Sequence, residues 1–307
     1  FMKDMRHAFV DTLLEVGKMD EGLVVMVGDI SHFKLLDFAK ACPGRYYNVG
    51  ICEPTIVNMA AGLSMLGFYP VVHTIAPFIV ERSYEQIKLD FCYQKLGANI
   101  ITVGSAFDYS TLGCTHHCYV DFALLKPLPD TQIFFPSSPI ELNTLFKQTY
   151  NNNKVSYFRV PKISHDFVFS QNQLVAGEGI KVKKGKDITI IVTGPQLKTA
   201  LDASERLKKS GFDAEIIYIH TIKPFDQGLV LESVKNTKKV IVIEEHSMYG
   251  GMGDEVLRAT KGIDGIKYSF IAIPDIFVRD YGSYSDICEI LGFTVDNIVK
   301  KVKSELF

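Results

Sequence analysis

The run Leu23-Val24-Val25-Met26-Val27, which ends at Gly28, decides the fold class of this chain. Five apolar residues in succession, three of them β-branched valines, are typical of a parallel strand that is covered on both faces. The preceding segment, Lys3 to Met19, carries its apolar residues at helical spacing. A helix followed by a doubly covered strand predicts an α/β architecture.

The same alternation of helical and strand patterns continues through the first half of the chain. Strands are predicted at Pro70–Thr74, Asn99–Val103, Thr131–Phe135 and Val155–Arg159, and helices at Pro54–Leu66, Phe78–Lys95 and Pro139–Asn151. This order is typical of a doubly wound domain with a mostly parallel sheet.

Residues 163–186 interrupt the alternation. They are rich in Ser, Gly and Lys and show no sustained periodicity, which predicts a surface linker. The alternation then restarts, so the chain divides into two doubly wound α/β domains, residues 1–162 and the smaller 187–307. In the second domain, strands are predicted at Ile188–Thr193, Ala214–Ile219, Lys239–Glu244 and Tyr268–Ile273, and helices at Leu197–Ser210, Gln227–Lys235, Gly253–Thr260 and Val295–Leu306.

Composition excludes several classes of protein. The chain has 307 residues, and its 33 basic and 35 acidic side chains leave a net charge of −2, which gives no electrostatic footprint for nucleic acid or an anionic membrane. No apolar run reaches the ~18–20 residues of a bilayer span. Six scattered cysteines, and a charged N-terminus without the apolar stretch of a signal peptide, predict reduced thiols and a cytosolic protein.

Ligands of open α/β sheets bind beyond the carboxyl ends of the strands, so candidate site residues are sought there. Glu53 directly precedes Pro54, a residue that favours the first helical turn, and its neighbours are apolar. One interpretation is an ordinary charge at a helix start. The other is a partly desolvated carboxylate that hydrogen-bonds a protonated ring nitrogen of a ligand.

Other candidates also carry two interpretations. The cluster Cys114-Thr115-His116-His117-Cys118 lacks the second Cys/His pair of a metal site, so a loop histidine that transfers protons is favoured and no metal ligands are predicted. Arg159 ends a strand and either grips a phosphate or forms a surface salt bridge. Phe78 is either core or a ligand platform. Gly250-Gly251-Met252-Gly253 is a tight turn or a weak phosphate-binding turn.

These residues resemble a known family. Gly50-Ile51-Cys52-Glu53-Pro54, followed by Asn58 to Leu63, is similar to a signature of thiamine-diphosphate enzymes of the transketolase class. The resemblance continues in order through both halves of the chain and covers nearly all of it. It includes Phe78 to Ile87, Gly113 to His117, Asp121, Leu128 to Pro136, Arg159-Val160-Pro161, Val192-Thr193-Gly194, Thr221 to Asp226, Glu244-Glu245-His246 and Gly250 to Gly253.

The resemblance implies half of an enzyme, namely a pyrimidine-binding domain followed by a transketolase C-terminal domain. The Gly-Asp-Gly motif with which this family binds the diphosphate is missing. A diphosphate needs a metal or a dense nest of donors, and neither is found in the sequence. A separate N-terminal subunit is therefore expected to hold Mg²⁺ (or Ca²⁺) and the diphosphate of thiamine diphosphate, in a homodimer or heterotetramer.

The resemblance also implies roles for individual residues. Glu53 matches the glutamate that hydrogen-bonds the aminopyrimidine of the cofactor, Phe78 the aromatic that stacks on it, and His116 a histidine that transfers a proton near the reacting oxygens. The activity implied is transfer of a two-carbon ketol unit between sugars or sugar phosphates. Arg6, Ser31 and Arg159 match the residues with which the family contacts sugar phosphates. Asp29 matches a carboxylate that lies near the thiazolium and near the contact between subunits.

The chain departs from the family in the loop that reads the acceptor. Leu112 replaces a carboxylate, Cys114 a proline, His117 a glutamine, Gly104 a phosphate-binding histidine and Ile75 a second aromatic. A specialised sugar or 1-deoxysugar substrate is therefore expected. Three alternatives stay open: the beta subunit of a 2-oxoacid dehydrogenase, an enzyme similar to deoxyxylulose-phosphate synthase, and a catalytically silent partner that scaffolds or regulates an active subunit.

Overall fold

The computed structural model describes residues 5–307, so the predicted helix start at Lys3 lies outside the described residues. Two mostly parallel sheets with flanking helices confirm the predicted α/β class. The strands are β1 Leu23–Val27, β2 Tyr46–Asn48, β3 Tyr69–Ile75, β4 Ala98–Val103, β5 Thr131–Phe134, β6 Val155–Val160, β7 Ile180–Lys183, β8 Ile188–Val192, β9 Ala214–Tyr218, β10 Thr221–Lys223, β11 Lys239–Ser247 and β12 Lys267–Ile273.

The helices flank both sheets, as expected of doubly wound domains. They are α1 Met5–Met19, α2 Leu36–Ala41, α3 Glu53–Met65, α4 Ala76–Val80, α5 Tyr84–Gln86, α6 Asp121–Leu125, α7 Pro139–Thr149, α8 Leu197–Lys209, α9 Gln227–Thr237, α10 Met252–Thr260, α11 Tyr284–Leu291 and α12 Val295–Lys301.

The first sheet has seven strands in the order β10-β5-β6-β4-β3-β1-β2. Strand β1, whose five residues are all buried, pairs in parallel with β2 and β3. The edge strand β10 comes from the second half of the chain and runs antiparallel to β5, with Thr221 opposite Phe134. The first sheet is therefore completed by a segment that follows most of the second sheet in sequence.

The second sheet has five strands in the order β12-β11-β8-β9-β7, and β7 is its antiparallel edge. Strand β7 lies inside residues 163–186, where the composition predicts a surface linker. The same segment buries His165, Phe169 and Leu174. An edge strand reading Ile-Lys-Val-Lys lacks the apolar run of a covered strand, so its pattern does not stand out from a lysine-rich linker.

The predicted continuous helix over Phe78–Lys95 is broken in the structure. Helix α4 ends at Val80, α5 begins at Tyr84, and a π-helical segment covers Ile87–Tyr93. Breaks and π-turns of this kind are frequent at functional sites. Here the interruption places Arg82 between two short helices, where its guanidinium reaches the start of α3.

The largest apolar cluster spans both halves of the chain. It joins Phe122 and Phe135 of the first half to Val242 and Met252 of the second, all of them buried. Burial of apolar area contributes about 25 cal/mol per Å². This shared core fixes the second sheet against the first, on the side of the first sheet that carries α6.

Candidate active site at the carboxyl edge of the first sheet

Three neighbouring parallel strands carry the predicted site residues to one edge. Strands β1, β3 and β4 lie side by side, so their carboxyl ends meet at the same edge of the sheet. The segments that follow them contain Ser31, Phe78 and His116, respectively. Glu53 follows β2, the next strand outward. The topology therefore gathers residues that are far apart in sequence.

Glu53 is the first residue of α3 and is only 1% exposed. Its Oε2 accepts a hydrogen bond of 2.8 Å from Nη1 of Arg82, whereas its Oε1 is buried without a hydrogen-bond partner. The helix N-terminus stabilises the negative charge. A buried acceptor without a partner costs about 1–3 kcal/mol, so Oε1 is open to a hydrogen bond from a water or a bound ligand.

Arg82 contacts both Glu53 and Phe78, the aromatic residue that the sequence allows as either core or a ligand platform. Its side chain is 50% exposed, and its Cζ lies 4.8 Å from the centroid of the Phe78 ring. A guanidinium at this distance from a ring forms a cation–π contact. Arg82 therefore holds the carboxylate and the ring in one arrangement while remaining open to solvent.

The contacts continue from Phe78 to the N-terminal helix. The rings of Phe78 and His116 meet edge-on with centroids 5.1 Å apart, and the rings of His116 and Tyr109 with centroids 5.9 Å apart. Nη2 of Arg6 donates to the Tyr109 hydroxyl. The resulting unbroken series of contacts, which we call the edge row, consists of Glu53, Arg82, Phe78, His116, Tyr109 and Arg6.

Ser31 lies next to the edge row and is held by a buried histidine. Its Oγ lies 3.0 Å from Nε2 of His73, whose ring stacks on Phe9 with centroids 4.3 Å apart. Phe9 is one helical turn from Arg6 on α1. Ser31 has a left-handed backbone, with φ of 59°, which is rare for a non-glycine residue and common at functional sites.

Asp29 is the predicted residue closest in sequence to Ser31, but it does not join the edge row. Its side chain is largely exposed, and its Oδ1 accepts a hydrogen bond of 3.1 Å from the Asn48 amide. Its backbone N–H donates to the same Asn48 side chain. Asp29 therefore lies at the rim beside β2, and its predicted place near the thiazolium and a subunit contact stays a prediction.

The structure does not bring Arg159 to the edge row. Its side chain is 0% exposed, its Nε lies 3.3 Å from Oδ2 of Asp121, and its Nη2 donates to the carbonyl oxygen of Cys118 at 2.6 Å. The rings of Phe122 and Phe135 lie within 4.8 Å of its guanidinium. Because these groups enclose it, the predicted contact with a sugar phosphate has no geometric support here, and the surface salt bridge considered as the alternative is a buried one.

The loop that departs from the family pattern surrounds His116. Leu112 and Cys114 are exposed, whereas His117 is buried and neither ring nitrogen has a hydrogen-bond partner. Burial lowers the pKa of His117. Of the two adjacent histidines, His116 is therefore the one that the structure places at the site.

Gly104 begins the loop after β4, and the neighbouring Tyr109 ring explains why a glycine occupies this position. Its φ of +82° favours glycine, and an added Cβ would lie 2.4 Å from the Tyr109 ring. The Tyr109 ring thus occupies the space of a side chain at position 104. Ile75, at the end of β3, also approaches this space, since its Cγ2 would lie 3.6 Å from the same Cβ.

Sequence reasoning did not assign roles to Arg82, Tyr109 and His73. Arg82 follows Phe78 by four residues, a spacing that places two side chains on one face of a helix and could have indicated the contact. His73 interrupts the apolar strand β3 with a buried polar ring. Nothing in the local pattern points to Tyr109, because its contact with Arg6 joins residues 103 positions apart.

Residues 5–307 contain neither a cluster of metal-ligating side chains nor a membrane-spanning helix. Within that range, no group of three or more His, Cys, Asp or Glu side chains is placed to hold a metal ion. No helix in the same range is long and apolar enough to cross a membrane.

Comparison with known proteins gives consistent matches over the whole chain. Residues 2–166 match the family described as "Transketolase, pyrimidine binding domain", and residues 177–298 match "Transketolase, C-terminal domain". The chain is 30% identical to the "Putative transketolase C-terminal section" of Methanocaldococcus jannaschii, over 99% of this chain and 96% of that protein. It is 31% identical to an apulose-4-phosphate transketolase subunit of Phocaeicola vulgatus, over 96% and 95% of the two chains.

A solved structure described as "Split gene transketolase, inactive beta4 tetramer" matches with a TM-score of 0.89 and 30% identity. The match covers 100% of this chain and 99% of that one. The two family matches, the two relatives and the solved structure all place both halves of the chain in the same order. The chain belongs to the transketolase family, and it matches the pyrimidine-binding and C-terminal domains of that family.

Proposed function

We propose that this chain is the C-terminal subunit of a split, thiamine-diphosphate-dependent transketolase that moves a two-carbon ketol unit between sugars. The observation that carries the proposal is the Glu53 carboxylate, which is buried at a helix start with Oε1 unpartnered and Oε2 held by Arg82. A buried acceptor in this state matches a ligand that brings a donor. The edge row supplies the other groups that the reaction needs.

The residues present fit the aminopyrimidine half of thiamine diphosphate. Glu53 Oε1 is an acceptor for a ring N–H, and the Phe78 ring lies near it, linked through Arg82, as an apolar surface on which an aromatic ring stacks. When bound, this cofactor supplies a nucleophilic carbon and an electron sink for cleavage of the bond next to a ketose carbonyl.

Each residue of the site then has a defined task. The Glu53 carboxylate accepts the ring N–H of the pyrimidine at its Oε1, and Arg82 orients the carboxylate through Oε2. The ring of His116 carries a proton between the site and a substrate oxygen, since imidazole is suited to proton transfer near neutral pH. Arg6 and Ser31 contact the sugar, and Asp29 lies at the rim toward the second subunit.

The diphosphate half of the cofactor requires another chain in this proposal. A diphosphate is held by a metal or by a dense nest of donors, and we assign Mg²⁺ (or Ca²⁺) and that nest to an N-terminal subunit. In support, relatives of nearly equal length are named as a C-terminal section and as one subunit of a transketolase, and a solved β4 tetramer is described as inactive. We expect a homodimer of this chain, or a heterotetramer with its partner.

The test uses the complex of this chain with its N-terminal subunit. Glu53→Gln should lower the rate of ketol transfer by about 10²–10⁴-fold, because a neutral amide does not stabilise a protonated ring nitrogen as the carboxylate does. Glu85→Gln, which changes an exposed glutamate of the nearby helix α5, is the matched control and should leave the rate unchanged. Complex formation should be equal in all three proteins.

Three outcomes would contradict the proposal. Full activity of Glu53→Gln removes the assigned role of the carboxylate. Tight binding of thiamine diphosphate and Mg²⁺ by this chain alone, measured by calorimetry, removes the need for a second subunit. Turnover of pyruvate or another 2-oxoacid without ketose cleavage would assign the complex to the 2-oxoacid dehydrogenases instead.

A further inference from the structure

Ser31 and His73 form a hydrogen-bonded pair whose proton positions can be worked out from the backbone around them. Ser31 follows β1, and His73 lies near the end of the adjacent strand β3. The Nδ1 atom of His73 lies 2.7 Å from the carbonyl oxygen of Ile101, on the next strand β4. Its Nε2 lies 3.0 Å from Oγ of Ser31.

The carbonyl of Ile101 fixes the tautomer of the ring. A carbonyl oxygen can only accept, so Nδ1 of His73 must carry the hydrogen of this 2.7 Å contact. In the neutral ring, Nε2 is then an acceptor with no hydrogen of its own. The Ser31 hydroxyl must therefore donate its hydrogen to Nε2.

The ring remains neutral at physiological pH. Burial, with a smaller contribution from the positive charge of Arg6, lowers the pKa of His73 to about 4, although the hydrogen bond to Ile101 acts in the opposite direction. Within residues 5–307, the charged group that acts on this ring is Arg6, and its other partners are the Phe9 ring, the Ile101 carbonyl and the Ser31 hydroxyl. The direction of the Ser31 hydrogen bond is thus fixed across the physiological range.

A serine whose hydrogen is committed behaves toward a ligand as an acceptor only. A sugar hydroxyl can donate to such an oxygen and at the same time accept from a cation such as Arg6. A phosphate monoester carries a charge of about −1.5 to −2 at neutral pH and presents acceptor oxygens. Its oxygens would face the lone pairs of Ser31, which is unfavourable.

The position of a second cation supports the same conclusion. The sequence predicts a phosphate contact for Arg159, but the Asp121 carboxylate and the surrounding rings enclose it. Its charge is therefore balanced inside the protein and not directed at the edge row. The part of the site around Ser31 thus combines an acceptor with the guanidinium of Arg6.

We propose that Ser31, oriented by His73, accepts a hydrogen bond from a substrate hydroxyl, so that the substrate end at Ser31 is an unphosphorylated polyol. This inference rests on the proposed function and specifies its substrate class. In this arrangement Ser31 is a specificity-determining contact, and His73 is a positioning residue that acts through it.

The first test measures the protonation of His73 in the chain by itself. Ring-¹⁵N-labelled histidine, assigned with the His73→Phe variant, should show the Nδ1–H tautomer at pH 7 and no titration above pH 5. An Nε2–H tautomer, or a ring that is charged at pH 7, would overturn the inference, because Ser31 could then accept from His73 and donate to a ligand. This readout does not depend on catalysis.

The second test compares a ketose with its phosphate ester, for example fructose and fructose 6-phosphate, in the complex with the N-terminal subunit. The neutral ketose should be preferred in kcat/KM by about tenfold or more, and Ser31→Ala should lower its kcat/KM about tenfold, mainly through KM. Ser304→Ala, at an exposed serine of the second domain, is the matched control.

The outcomes separate the two proposals. A preference for the phosphate ester, reduced by Ser31→Ala, would overturn the assignment of Ser31 while leaving ketol transfer intact. Transfer from neither compound, in a complex that also shows no ketol transfer from other ketoses, would refute the proposed function and the inference with it.

Discussion

Two arginine–carboxylate pairs of this chain lie in opposite surroundings. In the pair Arg82–Glu53 the arginine is 50% exposed and one carboxylate oxygen has no partner. In the pair Arg159–Asp121 both side chains are 0% exposed, Oδ1 of Asp121 is likewise without a hydrogen-bond partner, and its Oδ2 accepts a hydrogen bond of 2.7 Å from Tyr157. The two pairs contain the same chemical groups and differ in what closes around them.

The second half of the chain closes the Arg159 pair. The ring of His246 stacks on Phe122, with centroids 5.1 Å apart, and its Nε2 accepts from the backbone N–H of Ala123. Nothing comparable from the second half covers Glu53 among the contacts of the described residues. Both carboxylates keep one oxygen without a partner, but only the pair with the half-exposed Arg82 lies next to solvent, where a ligand can reach it.

The largest effect on stability is expected from a substitution that breaks the enclosed Arg159–Asp121 pair. Arg159→Met leaves the Asp121 carboxylate buried without its cation, which typically costs about 3–5 kcal/mol. The free energy of unfolding in urea should fall by that amount. The double variant Arg159→Met/Asp121→Leu removes both charges and should recover most of the loss, because a buried pair replaced by apolar groups is often neutral. Equal loss in both variants would contradict this account.

The next largest effect on stability is expected from His73, a buried ring with no carboxylate among its contacts in residues 5–307. The pKa of His73 is lowered from 6.5 to about 4 by burial, so the unfolded chain binds a proton between these pH values that the folded chain does not. The stabilisation from the neutral ring is complete above pH 6.5 and is lost as the pH falls toward 4, by about 3 kcal/mol. His73→Phe should remove this part of the pH dependence of unfolding.

The control for that measurement is the comparison of the two proteins at each pH. His246 is also buried, with a pKa lowered to about 3, and it contributes to both proteins equally. Parallel stability curves for the wild type and His73→Phe between pH 4 and 7 would show that the ring does not resist protonation.

The smallest effect on stability is expected at the half-open pair. Arg82→Met should lower the free energy of unfolding by about 1–3 kcal/mol, less than Arg159→Met, because the buried Oε2 of Glu53 loses its donor at a site that is half-open to solvent. In the complex with the N-terminal subunit, the same variant should lower kcat about tenfold or more, because Glu53 loses the group that orients it. Lys88→Met, at an exposed cation of the next helical segment, is the control. A large loss of stability with unchanged kcat would assign Arg82 a structural role.

Much of this fold was predictable because covered strands have a strong pattern. The run Leu23–Val27 and the apolar runs at β4 and β8 are buried at every position, as doubly covered parallel strands require. The sequence does not predict the short strands β2 and β10, because three residues are too few to show a periodic pattern of apolar and polar positions. Helix α4 lies within a longer predicted helix, because the break at residues 81–83 contains no glycine or proline that would mark it in the sequence.

The site was predictable in part for the same kind of reason. Glu53, Phe78 and His116 follow strands or begin helices, and the rule on carboxyl ends of strands leads to them. The enclosure of Arg159 was not predictable, because Asp121, Phe122 and Phe135 surround it only after the chain has folded. Ser31 donates its hydrogen to His73 because His73 itself donates to the carbonyl of Ile101, about 70 positions from Ser31 in sequence. No local sequence pattern can show this relation.

Strand β10 has a consequence for how this protein can be divided. It lies between β9 and α9 in sequence, yet its hydrogen bonds cover the free edge of β5 in the other sheet. A fragment that stops at residue 162 would leave that edge unpaired and Phe122 and Phe135 uncovered, and exposed edges of this kind pair with other chains. We therefore expect such a fragment to aggregate when expressed alone, even though its own six strands are parallel and contiguous.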